Sequence, residues 1–258
     1  MASWDVSDER GGVLEWGFLV SAIAVLAGAV AQRVTGMGFV LLAVPFLVLA
    51  QGPVDGVILA NWCGVIASAT NLIAVRKHVD WPRILWISGA AVIGCLPGAL
   101  LILLAPINVL ALVVALITLV ALIVSVRSPE GSLNDGRGAR IGAGFLSGFM
   151  GVTAGVAGPA MVIYRKAVDW SDLRRFTASL QFHFMVAGIA AILTKWGQGP
   201  SFSVPQWAVF LSMLFVGAFI GSRLSRHVSG KLGLKLVLII AFAGTIATLV
   251  RAVLSLIG

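Results

Sequence analysis

The sequence predicts an all-α polytopic membrane protein made of two inverted repeats, each a broken or re-entrant helix pair followed by three transmembrane helices. Three observations carry this. Of 258 residues, 59% are apolar and 11% charged, against roughly 45–50% and 25% in a soluble domain, which excludes an ordinary soluble enzyme. Thirty glycines accompany one tyrosine, and membrane helices use small residues to approach one another closely. The apolar runs fall into two similar series separated by one polar linker.

A helical span takes about 20 apolar residues, so the chain has room for eight to ten segments and little else. Residues 1–15 carry Asp5, Asp8, Glu9 and Glu15 against Arg10. They lack the basic start of a secretory signal and are read as an extracytoplasmic tail. Apolar runs follow at Trp16 to Ala31, Phe39 to Ala50, Val54 to Val75, Ile84 to Leu104 and Ile107 to Val126. The stretch from Ser128 to Gly138 holds Pro, Gly, Ser, Asn and Asp, the composition of a loop. The second series runs Ile141 to Gly151, Pro159 to Tyr164, Phe176 to Leu193, Trp207 to Gly221 and Leu236 to Ile257. The expected organisation is a tail over 1–15, repeat 1 over 16–126, a cytoplasmic linker over 127–140 and repeat 2 over 141–258.

Each series opens on a Gly-rich interrupted pair. The first contains Gly28, Thr35, Gly36, Gly38 and Pro45; the second contains Gly144, Gly148, Gly151, Thr153, Gly155, Gly158 and Pro159. Two legs of about a dozen residues in the second pair would reach about 18 Å each, short of a hydrocarbon core of about 30 Å. A hairpin entering and leaving on one side satisfies this, provided its irregular tip is buried in protein or lines a watery cavity. The legs of the first pair are longer and nearly span.

If each pair returns to its own side, three spans remain per half, and the odd number inverts the second half. The charges agree. Arg76, Lys77 and Arg83; Arg127, Arg137 and Arg140; Arg165, Lys166, Arg174 and Arg175; and Arg223, Arg226, Lys231 and Lys235 together hold 14 of the 18 basic residues. With the N-terminus outside, all four groups fall on the cytoplasmic side, as the positive-inside rule requires, and both termini are extracytoplasmic. The net charge of +8 is thereby accounted for without nucleic acid. Cys63 and Cys95 lie in apolar runs without metal-ligand spacing, so packing is their expected role, and no metal or cofactor is expected. Trp16, Trp81, Trp86, Trp170, Trp196 and Trp207 lie near span ends and read as an aromatic belt; Trp62 lies deeper.

The run Gln32-Arg33-Val34-Thr35-Gly36-Met37-Gly38-Phe39 with Pro45, and the run from Gly144 to Gly151 leading to Ala157-Gly158-Pro159 and Tyr164, resemble the paired motifs of the TauE/SafE sulfite exporter family, also called the toluene sulfonate uptake permease family. The resemblance covers nearly the whole chain. It implies a secondary transporter in a bacterial inner membrane for small sulfur-containing or carboxylate anions such as sulfite or organosulfonates, with export the expected direction. The second motif departs from the commonest form at Val152-Thr153-Ala154 and at Ala160. An importer or an anion channel is the alternative, and the bilayer and the anion are the expected partners; a homodimer is compatible with the chain.

The residues themselves point to an anion. Backbone NH groups near Gly36 to Phe39 and Gly158 to Met161, at the start of each outgoing leg, would face the membrane centre with about half a positive charge each. Gly155 lets backbone approach a ligand, and Thr35 and Thr153 carry hydroxyls. The alternative is that these glycines only allow helices to pack. Arg33 stands just before the first break, where an unpaired charge costs about 3 kcal/mol or more, and its fork matches a sulfonate or carboxylate. The alternative is an Arg33 that snorkels to an interface, as Arg251 is expected to do. His183, beside Gln181, is either a packed hydrogen-bonding group or a substrate or proton contact. Asn61, Asn71 and Gln181 are either interhelical glue or path lining. A remote alternative is an intramembrane hydrolase using Ser147 and His183, but Phe145 breaks the GxSG pattern of such serines, and the pair must lie within hydrogen-bond reach.

Overall fold

The computed structural model describes residues 6–127, 131, 133–195, 202–228 and 230–257, and among them every regular element is helical. The first series is α1 (Val6–Thr35), α2 (Gly38–Gln51), α3 (Pro53–Val75), α4 (Trp81–Leu104) and α5 (Ile107–Arg127). The second is α6 (Arg137–Ala154), α7 (Gly158–Ala167), α8 (Leu173–Thr194), α9 (Val204–Leu224) and α10 (Gly230–Ile257). Local chemistry sets the starts. Proline occupies the first turn of α3, α4, α7 and α9, where its missing NH is no loss. The Asp172 carboxylate accepts the Arg175 NH to cap α8, and Ser203 with Gln206 forms a capping box on α9.

Six helices among the described residues are long and apolar enough to cross a membrane. Their outer faces confirm the solvent they need: Ile93, Leu96, Leu103 and Phe219 are each at least 60% exposed, which water would not tolerate over a continuous ring. Trp16, Trp81 and Trp86 are likewise exposed, as a belt requires. Trp170 is not part of it. It is buried, with the Arg83 guanidinium 4.2 Å above its ring and Tyr164 and Phe176 at its edges. Trp62 packs edge-on against Trp207. Trp196 and linker residues 128–130 and 132 lie outside the described residues.

The second broken pair is less symmetric than two legs of a dozen. α6 has 18 residues and α7 has 10, or about 27 and 15 Å at 1.5 Å per residue. The helix starts four residues earlier than the apolar run because its polar first turn is held down: Arg137 lies over the Trp86 ring and Arg140 is clamped by Asp135. The outgoing leg is too short to span.

Matching α1 with α6, α2 with α7 and so on through α5 with α10 exposes a two-fold exchange in the packing. The two most extensive contacts between the series are α4 with α6 and α1 with α9, which are each other's images. α2 with α10 mirrors α7 with α5, while α3 packs on its counterpart α8 and α5 on α10. Each half therefore completes the other, and one apolar core, including Phe39, Leu47, Leu59, Val152 and Phe210, runs through both.

Just before α6, Asp135 ties the second broken pair to α4. Its carboxylate accepts from Arg83 at 2.6 Å, from Arg140 at 2.9 and 3.0 Å, and from the Tyr164 hydroxyl at 2.5 Å. Burial alone would raise this carboxyl, but the hydrogen bonds from Arg140 and Tyr164 and the charge of Arg83 outweigh it and hold the group at about 2. A lowered folded-state value means the contribution to stability is complete above the ordinary carboxylate range and lost as pH falls through about 2. Asp135→Asn should therefore lower the melting temperature by a constant amount between pH 8 and pH 5, with the gap to wild type closing below about pH 4. A gap that widens on acidification would contradict the ion cluster.

Candidate functional site

Both breaks are built alike. α1 ends at Thr35 and Gly36 takes φ +82°; α6 ends at Ala154 and Gly155 takes φ +69°. This left-handed conformation is open to glycine and costly to other residues, so each incoming helix stops there. α2 and α7 then start at Gly38 and Gly158.

Between the halves, the side chains of Gln32 and Gln181 join the first break to α8. Gln32 Nε2 donates to Gln181 Oε1 at 3.1 Å, and Gln181 Nε2 donates to the Gly36 carbonyl at 2.9 Å. Gln32 Oε1 accepts the Phe39 NH at 3.2 Å, and Asn71 Nδ2 adds a long bond of 3.4 Å to Gln181 Oε1. Gly36 NH bonds back to the Gln32 carbonyl, and Met37 NH reaches Thr35 Oγ1 at 3.4 Å. Most NH groups expected to await an anion at the first break are thus consumed by the protein itself. The second break differs. Gly155 and Val156 donate to the Met150 carbonyl, but the first turn of α7 has no side-chain cap.

Two cavities flank this bridge, and Gln32 lines both. A central chamber of about 30 Å³ is bounded by Gln32, Phe39, Asn61, Gly155, Ala157 and Gly158. A wider vestibule of about 150 Å³ is bounded by Gln32, Arg33, Gly36, Asn71, Thr177 and Gln181. It also touches Val75, one residue from the basic turn Arg76–His78. Arg33 is half-buried in that wall, its Cβ against Gly221 of α9, and no described carboxylate pairs with it. Arg251 instead donates to the Leu49 carbonyl near the end of α2.

Of the residues singled out in the sequence, Gln32, Asn61, Gly155 and Gly158 line the chamber, and Gln32, Arg33, Gly36, Asn71 and Gln181 line the vestibule. Gly38 and Pro159, in the first turns of α2 and α7, line neither cavity. Thr35 and Thr153 turn their hydroxyls back to the Ala31 and Phe149 carbonyls. His183 is fully buried between α4 and α6: Nε2 lies 2.8 Å from Ser147 Oγ and Nδ1 3.3 Å from Ser88 Oγ.

The Ser147 hydroxyl has one proton, and the Ala157 carbonyl, 2.9 Å away, can only accept it. Nε2 therefore carries the imidazole proton and donates to Ser147, and Ser88 donates to Nδ1. The hydrolase pair is within reach, but Ser147 has no exposed surface and its hydroxyl also meets the Ala157 carbonyl, so the arrangement ties α8 to the second break. The sequence paired His183 with Ser147 only as the hydrolase alternative; Ser88 and Ala157 carried no local signal. Ser68, another chamber residue, was also missed.

One signal was available in the numbering. The starts of α2 and α7, Gly38 and Gly158, and of α3 and α8, Pro53 and Leu173, are each 120 positions apart. The same offset carries Asn61 onto Gln181.

The family model described as sulfite exporter TauE/SafE matches residues 20–249, from α1 into α10. No curated protein and no solved structure matches the chain. A model match over nearly the full length, on a helical bundle with paired glycine breaks, settles the family: the chain belongs to the TauE/SafE sulfite exporter family of membrane transporters.

Proposed function

We propose that the protein is a secondary transporter exporting a small sulfur-containing anion, sulfite or an organosulfonate, across a bacterial inner membrane, with the anion bound between the two glycine breaks. Repeat 1 over 16–126 and repeat 2 over 141–258 enclose the path, and the four basic loops lie in the cytoplasm with both termini outside. The observation that carries the reading is the pair of cavities sharing Gln32: a vestibule holding the unpaired cation Arg33, and a chamber beneath the uncapped start of α7. Arg33 with Arg76 and Lys77 near the rim draws an anion in. The hydrogen-bonded Gln32 and Gln181 side chains separate the vestibule from the chamber, so passage requires that bond to open.

Asp55 lies at the start of α3, and among the described residues no carboxylate lines either cavity, which leaves the described path without an acidic proton relay. An anion leaving a negative interior gains about 2.3 kcal/mol per charge for each 100 mV. Transport is then electrogenic and needs no coupled ion. In proteoliposomes loaded with sulfite, an imposed inside-negative potential should accelerate efflux several-fold, and His183→Gln, which keeps a donor for Ser147, should retain that response. Efflux that ignores the potential and follows a pH gradient lost in His183→Gln would overturn this mechanism.

A further inference from the structure

We infer that Asn61 is the specificity-determining donor of the site, and that its being one methylene shorter than its repeat counterpart Gln181 confines the anion to the second break. The inference rests on the transport reading. The longer side chain reaches the opposite repeat's tip: Gln181 Nε2 meets the Gly36 carbonyl at 2.9 Å, and its Oε1 is taken by Gln32 and Asn71. With Phe39 NH on Gln32 Oε1, the first break is closed by protein. In the two-fold arrangement Asn61 faces the second break as Gln181 faces the first. It cannot reach. Asn61 is 8% exposed, it lines the chamber with Gly155, Ala157 and Gly158, and its Nδ2 has no hydrogen-bond partner among the described residues.

A buried amide donor left unpaired is destabilising, and beside it lies the first turn of α7 without a side-chain cap. An oxyanion accepts from both, which is what a buried, unpaired donor set selects. The chamber of about 30 Å³ has room for about two waters. It therefore admits a compact oxygen-bearing head and leaves none for a substituent.

The test uses the purified full-length protein in detergent, with sulfite and 2-hydroxyethanesulfonate as probes and thermal stability as the readout. Wild type should be stabilised by sulfite and not by the larger anion. Asn61→Gln should melt higher than wild type without ligand, because the longer amide reaches the second break as Gln181 reaches the first, and should bind sulfite at least tenfold more weakly. Asn61→Ala, which cannot overpack, should also weaken sulfite about tenfold while allowing hydroxyethanesulfonate to stabilise the protein. Unchanged sulfite affinity in both variants would overturn the assignment and leave the transport reading standing. If neither anion stabilises wild type, the transport reading fails, and an Asn61→Gln variant that then melts no higher than wild type would also remove the length argument.

Discussion

Gly148→Ala should yield little folded protein. α4 and α6 approach so closely that a Cβ on Gly148 would lie 2.0 Å from the Ala91 carbonyl oxygen, and one on Gly144 would lie 2.0 Å from that of Ile87. From the other side, Gly94 meets the Phe145 carbonyl at 2.1 Å. The obstacle in each case is helix backbone, which no rotamer change moves. Overpacking a core ordinarily costs about 1–3 kcal/mol, and here relief requires separating the helix pair with the most extensive contact in the molecule. A drop of many degrees in melting temperature, or loss of the monodisperse peak in detergent, is the expected result. Gly89→Ala and Gly142→Ala serve as controls on the same two helices. A Cβ at either meets nothing within 4 Å, so each should be neutral or gain about 0.5–1 kcal/mol of helix propensity. Wild-type melting of Gly148→Ala would show that the glycine seam does not hold these helices together.

The same seam explains what the sequence disclosed. Gly144, Gly148 and Gly151 recur at helical spacing, so their packing role and the break at Gly155 could be read locally. The apolar runs likewise marked most helix ends to within a few residues, because membrane burial is written into composition; the exceptions are α1, which starts at Val6 ahead of the run at Trp16, and α10, which starts at Gly230 ahead of the run at Leu236, both through polar turns that carry no apolar signal. Polar connections were not legible, because they join distant parts of the chain. Gln32 and Gln181 are 149 positions apart, and Ser88 and His183 are 95. Thr35 and Thr153 looked like substrate donors on residue type alone, but a hydroxyl in a helix reaches its own carbonyl four residues back. Trp170 looked interfacial because it follows an apolar run. The guanidinium of Arg83, which buries it, belongs to another helix entirely.

Arg33→Ala should abolish most anion transport in a protein that still folds. Arg33 sits one residue after Gln32, in a vestibule wall, without a carboxylate partner among the described residues. Its charge is therefore free for an anion, and its contact with Gly221 is made through Cβ, which alanine retains. Hydrogen bonds to a charged group contribute about 1.5–3 kcal/mol, so removal should raise the KM for sulfite efflux roughly 10- to 100-fold. Arg33→Lys keeps the charge and loses the planar fork, so it should fall between alanine and wild type. Arg251→Ala is the matched control, because that arginine, on α10, is committed to the Leu49 carbonyl near the end of α2. Its loss should lower the melting temperature modestly and leave KM unchanged. Added salt should weaken wild-type sulfite affinity more than that of Arg33→Ala, since screening acts on the charge the variant lacks. Equal KM in wild type and a folded Arg33→Ala would show that the residue anchors α1 and takes no part in the path.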